Sequence, residues 1–264
     1  MNVEFSKKKI EDLMEELKDK RPVFNSEDDF KFSLAWLIKE KYENNVDIWL
    51  ERKMNKMNNK DASSSNKGNQ NNKNQRVDIF IIVKNENDME KIGIELKYFT
   101  ANLEWHDDKN DEYIILKEQL AYNYKCYDAW HDVERLENFI RSGNINKGFA
   151  IWLTNIKSLT EDWDKVKKKI EKDINKKPNY YDFYISNNRE IPDDDYRPNP
   201  KNGSVELKWD DPSKKGIKGR ENPITIKGNY KVYWKEYSIL NLENNNSYKK
   251  SSNNIFKYNL LEIQ

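Results

Sequence analysis

The sequence predicts a mixed α/β domain in which a helix, a meander of three strands, a second helix and a further strand precede a β-rich C-terminal extension. Three observations predict this class. Apolar residues recur every three or four positions in two separate stretches, as they do in helices that bury one face. Short runs of branched apolar residues lie between those stretches, as in buried strands. Near the C-terminus apolar and polar residues alternate, which favours half-buried strands.

The composition is that of a folded protein without a strong overall electrostatic field. Of the 264 residues, 36% are hydrophobic, 35% are charged and 12% are aromatic, and the formal net charge is +1. Such a charge attracts no polyanion by itself, so nucleic-acid contact would need a local cluster of Lys and Arg. The single Cys126 excludes a disulfide within the monomer and any all-cysteine zinc site, which leaves His106 and His131 as soft ligands. A reducing compartment and a hard metal fit this inventory best.

The N-terminal residues indicate no secretion signal. Three consecutive lysines at 7–9 lead into an amphipathic pattern rather than an apolar segment of signal-peptide length. No stretch of the sequence approaches the ~20 apolar residues that cross a bilayer. We therefore expect a cytoplasmic protein that has no membrane association.

Two helices are predicted before the first strand. The first spans 6–19, and the second follows the capping pair Asn25-Ser26, with acidic residues at 27–29 where the helix dipole favours negative charge. The buried faces are predicted to consist of Ile10, Leu13, Met14 and Leu17 in the first helix and of Phe30, Leu34, Leu37 and Ile38 in the second.

Three strands are predicted next, at 46–50, 76–83 and 92–98, and they should form an antiparallel meander. Residues 53–75 between the first two strands are rich in Asn, Lys, Ser and Gln. Because this segment lacks the apolar residues that offset ordering entropy, we expect a mobile loop. The alternative for this segment is a lysine-rich loop that contacts DNA.

A long helix is predicted over 112–141, since aromatic and aliphatic residues recur there at helical spacing. Gly143 and Gly148 should end it, and 148–153 should form a strand buried in the sheet.

The remaining residues predict weaker elements. They are a helix at 163–174, a strand at 180–185, a surface excursion at 192–223 and closing strands at 230–240 and 255–263. In this prediction the chain has an N-terminal helix at 1–23 that packs on the core, a core at 24–154 and an extension at 155–264. The extension is expected to complete the same domain.

The residues that carry chemistry lie on the second and third predicted strands. Asp78 opens one strand, and Glu95, Leu96 and Lys97 follow one another in the next. Because side chains alternate along a strand, Glu95 and Lys97 point to one face and Leu96 points to the other. An aspartate on the adjacent strand can reach the same point. Two carboxylates and the Leu96 backbone carbonyl could then bind a hard divalent cation such as Mg²⁺ or Mn²⁺.

This set of groups suits phosphodiester hydrolysis. The reaction needs a cation that polarises the scissile phosphate and lowers the pKa of a bound water. A nearby ammonium can orient the attacking water or offset developing negative charge. Asp78, Glu95 and Lys97 supply this combination.

The pattern Val77-Asp78 followed by Ile94-Glu95-Leu96-Lys97 resembles the signature of the PD-(D/E)XK nuclease superfamily, the restriction-endonuclease-like class. Val77 occupies the proline place of that signature. The predicted order of helix, three-strand meander, helix and strand is also similar to the superfamily core. The resemblance covers residues 24–154, and the rest of the chain matches no family pattern.

The resemblance implies roles for individual residues. Asp78 and Glu95 would bind the metal together with the Leu96 carbonyl, and Lys97 would be catalytic. A carboxylate from the first core helix often joins such sites; Glu27 is the candidate, with Asp28 as the alternative. Accessory residues on the helix after the E-x-K strand are Gln119 and Tyr122, which look similar to a Gln and Tyr pair in exonuclease-like members, although their spacing is one residue shorter.

Each of these assignments has a structural alternative. A Glu and a Lys two residues apart are common on exposed strands of a charged protein, so Glu95 and Lys97 could be surface decoration. Glu27 could serve only the helix dipole. For the histidines we expect exposed structural roles, and for Cys126 we expect core packing.

The function expected from the resemblance is a Mg²⁺-dependent endonuclease acting on DNA, and analogy suggests a place in restriction or defence. A repair nuclease or an RNA-directed nuclease with the same fold is a second enzymatic hypothesis. The alternative from another class is a non-catalytic nucleic-acid-binding or assembly subunit. Because cutting both strands often needs two active sites, we expect a homodimer. A partner subunit of a defence system is expected from the same analogy as the role in defence.

Overall fold

The computed structural model describes residues 3–54, 75–86, 88–119, 122–172, 181–192, 204–209, 220, 222–242 and 253–264. The helices are α1 (Lys7–Lys20), α2 (Glu27–Tyr42), α3 (Tyr122–Arg141) and α4 (Trp163–Lys172). The strands of the N-terminal half are β1 (Val46–Lys53), β2 (Arg76–Lys84), β3 (Met89–Phe99), β4 (Leu103–Asp107), β5 (Glu112–Leu116) and β6 (Lys147–Thr154). Those of the C-terminal half are β7 (Glu190–Ile191), β8 (Val205–Leu207), β9 (Ile224–Ile226), β10 (Tyr230–Lys231), β11 (Lys235–Ile239) and β12 (Ile255–Ile263).

A six-stranded mixed sheet organises the chain, in the order β1-β2-β3-β6-β12-β11. Strands β1, β2 and β3 form the predicted antiparallel meander. The helix α3 carries the chain from β3 to β6, and these two strands are parallel. The fold is therefore mixed α/β, as the sequence predicts.

The sheet has an apolar core on each face. One core combines α1 and α2 with Ile94, Leu96 and Tyr98 of β3. The other combines α3 with residues such as Phe99 and Trp152. The alternation of β3 predicted from the sequence is thus confirmed, and the site strand has helices on both sides.

The two N-terminal helices form where the sequence places them. Ser26 is the N-cap of α2, and its Oγ accepts a hydrogen bond from the Asp29 N–H at 3.1 Å. This bond satisfies one of the amides that a helix start leaves unpaired. All eight predicted inward residues are buried.

The long helix predicted over 112–141 is wrong in its first part. Residues Glu112–Leu116 form β5, which pairs with β4 as an antiparallel hairpin, and α3 begins only at Tyr122. Ile114 is buried whereas Ile115 is exposed, which is the period of a strand. The spacing of Tyr113 and Leu116 also fits a helix, so the periodicity of this short stretch was ambiguous.

The end of α3 agrees with the prediction, but only one of the two predicted glycines terminates it. The helix ends at Arg141, and Gly143 follows it with a φ of +70°, a conformation that glycine adopts without strain. Gly148, the second predicted terminator, lies inside β6. There its Cα packs against Leu136, so a side chain at this position would crowd the helix.

Three C-terminal predictions change as well. Of the strand predicted at 180–185, residues Tyr181–Phe183 form a turn of 3₁₀ helix. The surface excursion at 192–223 contains β8, which pairs with β9. The strand predicted at 230–240 is divided into β10, which pairs with β7, and β11, which joins the main sheet.

The remaining elements follow the prediction. Helix α4 covers the predicted helix up to Lys172, while 173–174 lie outside the described residues. The predicted loop at 53–75 also lies outside them between 55 and 74; at its ends the Met54 N–H donates to the Gln75 carbonyl at 3.0 Å. Strand β12 pairs with β6, so the C-terminal residues extend the sheet that carries the site. None of the described helices combines the length and apolar character that a membrane span requires.

Candidate active site

The candidate site lies where the two central strands separate. The ladder between β2 and β3 runs from the pair Lys84–Met89 to the pair Ile79–Ile94. Asp78 and Glu95 are the first residues past that end of the ladder. On its other side β3 remains paired with β6 as far as Phe99. The separation therefore leaves backbone groups of β3 available to side chains.

The side chains of Asp78 and Glu27 accept hydrogen bonds from backbone amides of β3 where the two strands separate. The Leu96 N–H donates to Asp78 Oδ2 at 2.8 Å, and the Tyr98 N–H donates to Glu27 Oε2 at 2.9 Å. Lys97 Nζ donates to the Leu96 carbonyl oxygen at 3.1 Å. Two carboxylates and one ammonium thus contact the backbone of β3 between Leu96 and Tyr98.

The structure distinguishes Glu27 from its neighbour Asp28. Glu27 is partly buried and faces β3, whereas the Asp28 side chain is exposed and contacts Lys31 at 2.9 Å. Of the two carboxylates considered from the sequence, Glu27 is the one that joins Asp78 and Lys97.

Glu95 and Lys97 point to the same face of β3, as the strand alternation predicts, and this face meets α3. Arg135 Nη2 lies 2.6 Å from Glu95 Oε1 and 2.9 Å from Asp132 Oδ1. Lys97 Nζ contacts Asp132 Oδ2. Glu95 is only 2% exposed. These four residues, Glu95, Arg135, Asp132 and Lys97, form what we call the α3 ionic network.

Four charged residues at the site were not singled out from the sequence. Asp132 and Arg135 lie three apart on α3 and so share a helix face. Lys31 follows Glu27 by four residues on α2, and its Nζ is 3.6 Å from Asp78 Oδ1 and contacts Glu51. Lys125 on α3 interacts electrostatically with Glu27 and Lys97. The helical spacings were visible in the sequence, but nothing in them told which helix face meets β3.

Burial and the neighbouring opposite charges act against each other on the pKa values of the site residues. Burial raises the pKa of Glu27, although Lys97 and the Tyr98 amide oppose it. Burial likewise raises the pKa of Glu95 well above its ordinary value, against the effect of Arg135. For Lys97 burial lowers the pKa, but Asp132, Glu27 and Glu95 outweigh it and the net shift is upward. Lys97 therefore stays an ammonium, and the two glutamates hold protons more readily than free carboxyls.

Gln119 and Tyr122 do not form the predicted pair on a helix face, because α3 starts at Tyr122 and Gln119 precedes it. Gln119 Oε1 accepts a hydrogen bond from Lys125 Nζ. The Tyr122 hydroxyl donates to Glu118 at an exposed position. The Gln119 side chain is thus connected to the site through Lys125, and Tyr122 faces a surface carboxylate.

The histidines and the cysteine lie apart from this constellation. His106 is on β4, with its ring between Asp108 and Asp111 and 4.4 Å from the ring of Tyr113. His131 is half-buried rather than exposed and stacks on Tyr127. Cys126 is buried in the α3 core, as predicted.

The residues present fit a hard divalent cation. Asp78, Glu95, Glu27 and the Leu96 carbonyl offer oxygen donors, which Mg²⁺ and Mn²⁺ prefer. Glu95 Oε1 is buried without a hydrogen bond of ordinary geometry. Among the described residues, no three or more His, Cys, Asp and Glu side chains are already grouped as a metal site. The carboxylates are instead neutralised by lysine and arginine.

Comparison of the chain with protein-family models, curated proteins and solved structures gave no match.

Proposed function

We propose that this protein is a metal-dependent endonuclease that hydrolyses phosphodiester bonds in DNA. Asp78, Glu95 and the Leu96 carbonyl would hold Mg²⁺ or Mn²⁺, with Glu27 assisting and Lys97 as the catalytic ammonium. The observation that carries the proposal is the convergence of Asp78, Glu27 and Lys97 on the backbone of β3 between Leu96 and Tyr98. Surface decoration, the alternative for these residues, does not account for their burial and mutual contacts.

The chain's own groups have distinct tasks in this proposal. A bound divalent cation supplies Lewis-acid polarisation of the phosphate and a water of lowered pKa. Lys97, which remains protonated, orients the attacking water and offsets the negative charge that develops on the phosphate. Glu27 has a raised pKa, so its carboxylate is better suited than a free one to accept a proton from that water.

A nucleic-acid substrate is supported by a cluster of cations next to Asp78. Lys53 and Arg76 lie directly opposite each other on β1 and β2, and both are exposed. Like charges in such a cross-strand pair repel each other, so an anion that binds between them would relieve a cost of the fold. Within the described part of the chain neither cation has a carboxylate within ion-pair distance. We call these two residues the cationic pair.

An exposed aromatic ring extends this surface. The Arg52 guanidinium lies over the rings of Trp49, at 4.8 Å, and Phe80, at 4.1 Å. Trp49 is 40% exposed, and Arg52 pairs with Val77, the neighbour of Asp78. Phosphate-binding cations beside an accessible aromatic face are typical of nucleic-acid surfaces.

Cleavage of supercoiled plasmid tests the proposed activity. Wild-type protein should cut in Mg²⁺ or Mn²⁺ and not in chelator, and Lys97→Ala should abolish cutting. Lys91→Ala, on the same strand but exposed, is the matched control and should cut normally. Unchanged cleavage by folded Lys97→Ala would refute the assignment.

The role of Glu27 is tested in the same assay. Glu27→Gln keeps an oxygen that can accept the Tyr98 N–H, so the fold should persist while the rate falls about 100-fold, a typical loss for a general base. Asp28→Asn should cut at the wild-type rate. Equal rates for both variants would assign Glu27 to the helix dipole alone.

The second candidate function is a non-catalytic nucleic-acid-binding or assembly subunit. The observation that favours it is the neutralisation of the site carboxylates by Lys31, Lys97 and Arg135. Calorimetry separates the two: absence of Mg²⁺ and Mn²⁺ binding together with salt-sensitive DNA binding would select this reading. A panel of duplex DNA, single-stranded DNA and RNA separates the DNA endonuclease from a repair or RNA-directed enzyme.

The assembly and the biological setting are part of the proposal. A homodimer would supply a second active site for cutting both strands, and light scattering tests it. A role in restriction or defence, alone or with a partner subunit, is proposed by analogy with restriction endonucleases.

A further inference from the structure

The α3 ionic network contains charged groups that touch without hydrogen bonds of ordinary geometry. Glu95 Oε1, Asp132 Oδ2 and Arg135 Nε are all buried, and each lacks such a bond. Buried polar atoms in folded proteins are normally hydrogen-bonded, so three exceptions in one network need an explanation. The contacts within the network join groups of opposite charge.

Arg135 divides its charge between two carboxylates. The same nitrogen, Nη2, is 2.6 Å from Glu95 Oε1 and 2.9 Å from Asp132 Oδ1. A buried carboxylate such as Glu95 needs a counter-charge, and the guanidinium provides it. Because this guanidinium nitrogen already contacts a second carboxylate, another cation can take its place at Glu95.

Arg135 can release Glu95 without becoming an unpaired buried charge. Asp132 lies three residues before it on α3, so the contact between these two side chains lies within one helix and does not depend on β3. Lys97 provides Asp132 with a second positive neighbour. Glu95 would then be free for a divalent cation while Arg135 remains paired.

We infer that Arg135 is an internal competitor of the divalent cation for Glu95 and thereby sets the affinity of the site for metal. The inference rests on the proposed function, since it assigns a regulatory role at the same site. Arg135 neutralises Glu95 in the metal-free protein and turns to Asp132 when the cation binds. It is a positioning residue that does not touch the substrate.

The first test compares Arg135→Gln with the wild type by calorimetric titration of Mn²⁺ and by thermal unfolding in chelator and in Mg²⁺. Without its competitor, Glu95 should bind Mn²⁺ between about fivefold and 100-fold more tightly, the usual range of coupling between sites. The variant should unfold at a lower temperature than the wild type in chelator and should regain much of that difference in Mg²⁺.

Arg220→Gln is the matched control. Arg220 forms a double hydrogen bond with Asp128 on α3, with both distances 2.6 Å, and neither residue belongs to the α3 ionic network. Its loss should also lower the unfolding temperature, but Mg²⁺ should not restore it. Equal restoration of both variants would overturn the inference.

Asp132→Asn gives a result of opposite sign and covers the case in which Arg135→Gln does not fold. Without Asp132, Arg135 interacts with Glu95 alone, so Mn²⁺ binding should weaken at least fivefold. Unchanged Mn²⁺ affinity in Arg135→Gln, or in Asp132→Asn, would overturn the inference even if the wild type binds metal and cuts DNA. A wild type that binds no Mn²⁺ would overturn the proposed metal site and, with it, the inference.

Discussion

At the scale of single residues, the carboxylates of Asp78 and Glu27 supply hydrogen-bond acceptors that a neighbouring strand would otherwise provide. Where β2 leaves β3, the amides of Leu96 and Tyr98 would lack partners, and the two carboxylates accept their hydrogen bonds. Bonds from backbone amides fix the position of each carboxylate, so the same oxygen atoms that complete the fold also shape the site. Substitution of either residue by alanine would therefore disturb the fold and the site together. Variants that keep the shape of the side chain, such as Asp to Asn or Glu to Gln, separate the two roles.

The pKa values of the two histidines should be shifted in opposite directions. Hydrogen bonds that Asp108 and Asp111 accept from the ring raise the pKa of His106 above 6.5, whereas burial, supported by Arg135, lowers the pKa of His131 below 6.5. Because the chain has only these two histidines, an NMR titration should show two imidazole signals, one on each side of that value.

The consequences for stability also have opposite signs. A raised pKa means that the stability contributed by His106 is fully present below pH 6.5 and is lost as the pH rises through its folded-state pKa. A lowered pKa means that the contribution of His131 is present above pH 6.5 and is lost as the pH falls. If both signals titrated near pH 6.5, neither the raised pKa of His106 nor the lowered pKa of His131 would hold.

At the scale of elements, α3 is both a connection and half of the site. It links the parallel strands β3 and β6 and carries Lys125, Asp132 and Arg135 over the face of β3 that bears Glu95. The β4–β5 hairpin occupies the residues between β3 and α3, so the helix begins at Tyr122 and not at the predicted residue 112, which is about three helical turns later. Its start determines which residues reach β3.

Substitutions in β5 test the hairpin against the helix that the sequence suggested. Ile114 is 6% exposed and Ile115 is 62% exposed, as strand alternation requires. Ile114→Ala should lower the free energy of unfolding by about 2–3 kcal/mol, because it removes buried methyl groups. Ile115→Ala should change it by less than about 0.5 kcal/mol. Urea unfolding measures both, and a larger loss in Ile115→Ala would contradict the hairpin.

At the scale of the whole molecule, charge is distributed unevenly although the net charge is +1. The cationic pair lies beside Asp78 at one end of β1 and β2. The β4–β5 hairpin, by contrast, carries Asp107, Asp108 and Asp111 around its turn. A polyanion is therefore expected to approach the site across β1 and β2 and to avoid the hairpin.

The double variant Lys53→Gln/Arg76→Gln should weaken DNA binding and reduce the salt dependence of the binding constant. Each lost phosphate contact lowers the slope against salt concentration by about 1, so the slope should fall by about 2. Lys84→Gln/Lys91→Gln removes two charges at the opposite end of β2 and β3 and should leave the slope unchanged. Fluorescence anisotropy with a labelled oligonucleotide, measured over a range of salt, decides between these outcomes.

The sequence by itself determined the local features. The cap at Ser26, the buried faces of α1 and α2, and the alternation that places Glu95 and Lys97 on one side of β3 all follow from periodicity and capping, which act over a few residues. Asp78 was a candidate because of its place in the strand motif, and Glu27 because the resemblance implies a carboxylate from the first core helix. For short segments such as Glu112–Leu116 the helical and strand periods overlap, and there the local signal failed.

Only the tertiary structure decided which charges meet. Asp132 and Arg135 are far from Glu95 in the sequence, and Lys31 is far from Asp78; packing of α3 and α2 on the two faces of the sheet brings them together. Helix faces can be read from spacing, but their register against a strand depends on how all side chains of the core fit together. The ionic network at the site is therefore a property of the packed molecule, whereas its carboxylates and its lysine on β3 are a property of the sequence.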